Sequence, residues 1–447
     1  MKAINLKTEY LINPIGIDIQ NPRFMWNCEG GITQTAYRII AKSDGKAVWD
    51  SGKVNSSSMR AEYPHKLKSR ERVEWTVTLV DENDVEGEPS ETAFFETGLL
   101  SASDFTAKWI SGNYHVNKKN RYPVDCFKKQ FSAKNIAKAR LYITACGLYE
   151  ARLNGKKVGD FCLAPGHTDY TKRIQLQTYD VTDLLSDGEN DVTVELADGW
   201  YRGSCGAWGL KNQYGTQTKL YAQLEITDKS GNKSIIGTNK SWKWSDDGEI
   251  RFADNKDGEI VEAWRKPSYN GFAKETKCDV VPVSSNNVPV TEHERFSVKR
   301  VITTPSGAKV LDFGQNIAGY ISFAVTAKKA QKIKLRFGEM FDQNGEFTQK
   351  NIQCANKKRT RVTPLQQIEY FCTDGLNEYK TKFAVFGFQY VLIETEVEWK
   401  NDDFTAIAVY SDMEETLTFD SSNELLNGLV KATRWSAKNN HADVPTD

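Results

Sequence analysis

Five consecutive residues, Asp198-Gly199-Trp200-Tyr201-Arg202, gather a carboxylate, two aromatic rings and a guanidinium. A glycine-rich run from Gly203 to Gly209 follows and brings in Trp208, and an Asp169-Tyr170 pair lies upstream. Aromatic faces stack on the apolar C–H surface of a sugar ring, while carboxylates and guanidinium groups bond its hydroxyls. On loops of a β-sandwich these seven-residue ingredients (Asp169, Tyr170, Asp198, Trp200, Tyr201, Arg202 and Trp208) are the chemistry of carbohydrate binding. The same residues admit a structural reading, in which Trp200 and Tyr201 plug the sandwich end and Asp198 caps a turn. Reaction chemistry is scarcer. His65, His115, His167, His293 and His441 stand apart with no H-E-x-x-H pattern, and there is no G-x-S-x-G elbow. The glycine run lacks the Gly-Lys-Ser/Thr ending of a phosphate loop. Eight scattered cysteines without a C-x-x-C pair argue against zinc.

The elements that must position these residues read as strands. Leu148, Glu150 and Arg152 alternate with Tyr149, Ala151 and Leu153, and Asn154-Gly155 supplies a hairpin turn. Ile174, Leu176 and Thr178 alternate again after the Tyr170–Lys172 turn. Lys219 to Ile226 forms a further alternating run before the Gly231-Asn232 turn. Earlier, Arg23–Trp26, Ala36–Ala41, Ala47–Trp49 and Val73–Val80 are short strands between turn residues, at the spacing of a fibronectin type III-like or immunoglobulin-like sandwich. Leu99–Phe105 reads as a linker, and the Ser/Asn-rich 282–289 stretch as another. The pattern breaks near the end. Ser421-Ser422-Asn423-Glu424 fits a capping box with Ser421 as N-cap, and Leu425, Leu426, Leu429 and Val430 fall at helical spacing over about Ser422–Lys438. That apolar stripe, left without cover, predicts a frayed or self-associating tail.

Length and charge bound the partners. The chain has 447 residues, enough for about three domains, with 59 Lys+Arg against 59 Asp+Glu. Zero net charge argues against nucleic acid or an anionic membrane as the main partner. The Met1–Leu11 stretch has no apolar signal-like core, and no run approaches the ~20 apolar residues of a spanning helix. Scattered thiols then point to a cytoplasmic protein with reduced cysteines.

Three stretches are specific enough to suggest a family: LYE-x-x-LNG-x-x-VGD from Leu148, APG-x-TDY-x-KR from Ala164, and DGWYRG from Asp198. In this order they resemble the non-catalytic β-domain of bacterial α-L-rhamnosidases. Val310–Tyr320, Leu335–Met340 and Phe386–Tyr390 resemble the concanavalin-like sandwich of the same family, with Phe386 and Gln389 standing where the family more often has His and Arg. Asp443-Val444-Pro445-Thr446-Asp447 resembles the D-x-P-T-D that leads into the family's catalytic α/α barrel.

The resemblance implies an all-β chain of tandem β-sandwich domains (fibronectin/Ig-like, jelly-roll-like, concanavalin-like), closed by a short helical segment of an incomplete barrel. The expected divisions are 1–98, 106–285, 290–400 and 415–447. It implies the N-terminal part of an inverting hydrolase that removes terminal α-L-rhamnose from rhamnose-containing glycosides or oligosaccharides. The essential glutamates would lie in the barrel, so the chain alone is expected to be inactive and to retain at most carbohydrate binding. Asp447 would be a substrate contact at the start of the catalytic motif, or simply a frayed terminal residue. No cofactor is called for, although the resemblance leaves calcium open with no ligand set, and leaves a homodimer open as well. The rival readings are a stand-alone lectin-like protein or the non-catalytic part of another glycosidase, since the L-N-G-x-x-V-G hairpin also recurs in β-galactosidases.

Overall fold

The computed structural model describes residues 1–206, 209–355 and 362–445. Trp208 and Asp447, two residues singled out above, lie outside the described residues. The architecture is all-β, with one long helix near the end.

The first module pairs two sheets. One contains Lys2–Thr8, Arg23–Glu29 and Arg60–Glu62; the other runs in the order Ile15–Ile17, Ala93–Thr97, Arg72–Val80, Ala36–Ser43, Lys46–Asp50. Alternation in Arg72–Val80 turns Val73, Trp75, Val77 and Leu79 inward. Phe24 from the facing sheet stacks on Trp75 with ring centroids 4.2 Å apart. The linker stretch is tied down on both sides. Arg70 bonds Asp104 at 2.7 Å and Glu225 of the second module at 2.6 Å, and buried Glu96 accepts from Lys138 and Arg140, each at 2.8 Å.

The second module is a sandwich of a seven-stranded and a six-stranded sheet. Asn154 and Gly155, with φ of 50° and 77°, form the turn that joins Leu148–Leu153 to Lys156–Lys157, as the Asn-Gly pair predicts. In the seven-stranded sheet the order is Lys274–Glu275, Ile110–Ser111, Lys219–Asp228, Ile136–Cys146, Gln175–Asp180, Val283–Ser284. Its first and last members are therefore joined by a short segment that crosses from one sheet edge to the other.

The third module is built on a ten-stranded sheet centred on the long strand Lys309–Ala327. That strand changes partners along its length, pairing Lys309–Gly319 with Phe386–Ile393 and Gly319–Phe323 with Phe404–Ala408. Phe386 stacks on Phe337 at 4.3 Å inside the core, and Gln389 donates to Asp312 Oδ1 at 2.9 Å. These two unusual residues are thus absorbed by packing and by one buried carboxylate. Strands Ile250–Asp254 and Gly258–Glu262, within the stretch 106–285, join this sheet through a parallel pairing of Gly258–Glu262 with Gln367–Phe371. Gly258 has φ of 107°, and a Cβ there would sit 1.8 Å from the Gln367 carbonyl oxygen, so the junction requires glycine.

The C-terminal helix spans Glu424–Asn439. Its N-cap is Asn423, whose side chain accepts from the Leu425 and Leu426 amides at 3.0 and 3.4 Å. This displaces Ser421, which bonds the Asn423 amide instead. Leu425, Leu426 and Leu429 remain 82%, 46% and 62% exposed. The tail is nonetheless held, through a second face that the leucine spacing does not mark. Trp435 meets Phe296, Lys438 pairs with Glu294 at 3.0 Å and Glu415 at 2.9 Å, and Asn439 accepts the Ala318 amide at 2.8 Å. Among the described residues no helix is long and apolar enough to cross a membrane.

Candidate functional site

The Asp198–Arg202 segment follows strand Gly188–Ala197 as a single helical turn, Gly199–Arg202. Asp198 does not cap that turn with its side chain. Its Oδ1 accepts from Arg202 Nε at 2.6 Å, and both residues are buried. The guanidinium also donates to the Tyr114 hydroxyl and lies 4.9 Å above the Tyr122 ring. Tyr114 leads on to Asp125, which accepts from Thr218 Oγ1 at 2.7 Å and Trp244 Nε1 at 2.9 Å. Burial pushes the Asp198 and Asp125 carboxyls above the usual carboxylate range, against the pull of Arg202. On the neighbouring hairpin Asp254 and Asp257 share Arg121 at 2.9 and 2.7 Å. These groups form an interior ionic network, and Asp198 and Arg202 have no open face left for a sugar.

The other candidates separate as well. Tyr170 and Tyr201 are buried and meet edge-on at 5.4 Å, with the Tyr170 hydroxyl donating to the Gly166 carbonyl at 2.8 Å. Asp169 is spent on its own turn, accepting from the Thr171 amide and hydroxyl at 3.0 and 2.6 Å. Among the described residues no three His, Cys, Asp or Glu side chains are arranged to hold a metal ion.

Trp200 is different. It faces a cavity of about 420 Å³ where the second module, the 250–262 hairpin, the third module and the C-terminal helix meet. Around it stand Asn255, Lys256, Asn316, Glu339 and Asn439. Trp200 Nε1 donates to the Asn255 side-chain oxygen at 2.9 Å once the amide is turned to satisfy both its neighbours. Glu339 accepts from Asn316 at 3.2 Å and Asn351 at 3.1 Å, and Lys256 Nζ donates to the Gly206 carbonyl at 3.2 Å. An indole, amides, one carboxylate and one ammonium around a partly open space suit a hydroxylated ring. Behind Trp200, at 5.2 Å, lies His167, whose buried setting lowers its imidazole pKa. The His167 amide and Asn287 Nδ2, the latter at 2.9 Å, both donate to the Asp443 carboxylate. Asp443 sits at φ 79° in the turn of the hairpin His441–Pro445, and burial raises its pKa despite these donors. It therefore fixes the Asp443–Pro445 stretch beside the cavity. Sequence reasoning missed Asn255, Lys256, Asn316, Glu339 and Asn439, which come from distant segments with no local pattern. His167 and Asp443 did carry a signal, since each belongs to a stretch that suggested the family.

These are three β-modules with a polar cavity where they meet the C-terminal helix. Three family profiles match: "Rha78A-like, N-terminal immunoglobulin domain" over residues 3–101, "Alpha-L-rhamnosidase N-terminal domain" over 134–304, and "Bacterial alpha-L-rhamnosidase concanavalin-like domain" over 302–410. The chain belongs to the bacterial α-L-rhamnosidase family. It is 33% identical to an α-L-rhamnosidase of Formosa agariphila, over 97% of this chain and 50% of that protein. An α-L-rhamnosidase of an Alteromonas species is 32% identical over 100% of this chain and 51% of its own. The crystal structure of the Aspergillus terreus α-L-rhamnosidase superposes with a TM-score of 0.90 at 30% identity, covering 100% of this chain and 53% of that one. The chain thus spans about half the length of the relatives it matches.

Proposed function

We propose that the protein carrying this chain is an α-L-rhamnosidase that releases terminal L-rhamnose from rhamnose-containing glycosides, and that this chain supplies its β-scaffold and a sugar-contacting surface at the Trp200 cavity. The observation that carries the reading is the half-buried Asp443 anchor, which ties the first residue of the family's D-x-P-T-D stretch to Asn287 and to the amide of His167, the neighbour of Trp200. Glycoside hydrolysis needs two carboxyl groups facing the scissile bond. Glu339 is the one carboxylate among the cavity-lining residues described, so the cavity by itself is a place to bind and orient rather than to hydrolyse. The solvent-facing Leu425, Leu426 and Leu429 offer a helical domain something to pack on, in keeping with relatives about twice as long. Cytoplasmic residence is part of the same proposal, supported by eight cysteines that are all free thiols.

The test has two parts. The protein at its full natural length is assayed on an aryl α-L-rhamnoside, with NMR reading of the first anomer formed. Release of inverted rhamnose supports the reading, and no turnover overturns it. Ligand-observed NMR of L-rhamnose against wild type and Trp200→Ala then examines the cavity. Binding of about millimolar strength that the substitution abolishes supports the contact; identical signals in both proteins overturn it.

A further inference from the structure

The segment that crosses the second module carries an unassigned thiol against another. It leaves one sheet edge at Lys274–Glu275 and re-enters the opposite edge at Val283–Ser284. To do so it passes over the intervening strands, including Ile136–Cys146, whose last residue is Cys146. Cys278 and Val280 of this strap pack on a cluster made of Cys146, Tyr170, Ile174 and Tyr201. The strap is pinned at that point, because Lys219, the cross-strand partner of Cys146, donates its Nζ to the Lys277 carbonyl at 2.8 Å. The two thiols stand close enough that each shifts the other's proton affinity. Other buried thiols face different groups: Cys162 meets the Tyr320 hydroxyl at 3.6 Å, and Cys126 the Val124 carbonyl at 3.8 Å.

We propose that Cys146 and Cys278 are a redox-modifiable pair that closes to an intramolecular disulfide when the protein meets a small disulfide such as oxidised glutathione. Cys278 is the attacking group. It is the more exposed of the two, and the neighbouring Cys146 thiol, then the Val280 amide and Lys219, lower its pKa while Cys146 is pushed up. Its thiolate attacks one sulfur of oxidised glutathione, forming a mixed disulfide and releasing one glutathione thiolate. Cys146 then gives up its proton and attacks the Cys278 sulfur, releasing the second glutathione. Two protein thiols lose two electrons and two protons, and one oxidised glutathione becomes two reduced ones. The closed bond staples the strap to the sheet. Because the strap continues to Ser284, which donates to Asp18 of the first module at 2.8 Å, and to Asn287, which holds Asp443, the staple fixes the route between these parts.

The experiment treats the folded, reduced chain with oxidised glutathione, quenches in acid, denatures, alkylates free thiols and maps peptides by mass spectrometry. The expected result is a Cys146–Cys278 linked peptide about 2 Da lighter than its two reduced halves, opened by dithiothreitol. Cys146→Ser should trap Cys278 as a stable glutathione adduct, and Cys278→Ser should leave the buried Cys146 unmodified. Full alkylation of Cys146 and Cys278 after oxidation, or linkage of either to a different cysteine, overturns the proposal. Should Cys146→Ser fail to fold, the wild-type map and Cys278→Ser still decide: a glutathione adduct on Cys146 in that variant contradicts the assigned roles.

Discussion

Arg202→Met removes a guanidinium that is nearly inaccessible to solvent and serves two buried carboxyls. Its side chain is 4% exposed and that of Asp198 8%, so water screens the pair little. Breaking a buried pair by deleting one partner costs about 3–5 kcal/mol, because the remaining charge is left desolvated. The pH dependence has a definite sign. Burial already raises the Asp198 and Asp125 carboxyls, and Arg202 is the group that pulls them down. Without it they rise further. A carboxyl whose folded pKa lies above its unfolded value binds its proton more tightly in the fold, so its stabilising share is present at low pH and lost as pH rises through the folded pKa. The deficit of the variant should therefore be largest near neutral pH and smaller at about pH 5. Urea titrations of wild type and variant, read by tryptophan fluorescence at both pH values, measure it. A deficit below about 1 kcal/mol, or one of equal size at both pH values, would refute the interior ionic network as a source of stability.

Other outcomes follow from the tail and the cavity. Asp443→Ala strands the His167 amide and Asn287 without an acceptor, at about 1–3 kcal/mol each, so amide exchange and trypsin cleavage should increase across 436–445 while the sheets stay protected; unchanged exchange would remove the anchor. Asn423→Ala should weaken the C-terminal helix by about 1 kcal/mol, and Ser421→Ala by less, as judged by exchange of the Leu425 and Leu426 amides. Leu429→Glu should shift the stability of this chain by no more than about 0.5 kcal/mol in a thermal melt, since the side chain faces water. The chain alone should show no turnover of an aryl α-L-rhamnoside above a blank, because one cavity carboxylate cannot supply both acid and base.

The sequence made the local architecture readable where periodicity is strong. Period-two burial in Arg72–Val80 and the Asn154-Gly155 turn each follow from a few adjacent residues. The helix was equally visible, but its cap was misplaced by two residues. Ser421 and Asn423 are both good caps, and only the path of the backbone decides which side chain reaches the Leu425 amide. The Asp198–Arg202 motif shows the limit for sites. A carboxylate and a guanidinium four residues apart on a helical turn satisfy each other, so the motif's own charges closed it to a ligand. Trp200, between them in sequence, turned outward to a cavity whose other walls are contributed by residues 37 to 242 positions away, and no local pattern can reveal such walls.

The parallel pairing of Gly258–Glu262 with Gln367–Phe371 bears on how this protein can be cut and rearranged. A boundary drawn in the Ser/Asn-rich stretch near residue 285 looks natural, yet it would carry two strands of the third sheet away with the wrong piece. The remainder would expose a bare backbone edge at Gln367–Phe371, an invitation to pair with another molecule. The excised piece would keep Ile250 and Val261, buried at 2% each, without the strand that Gly258–Glu262 pairs with. Gene fusions, expression trimming and exchange between homologues should therefore treat residues from about 106 to 411 as one unit of inheritance, however many sandwiches it contains.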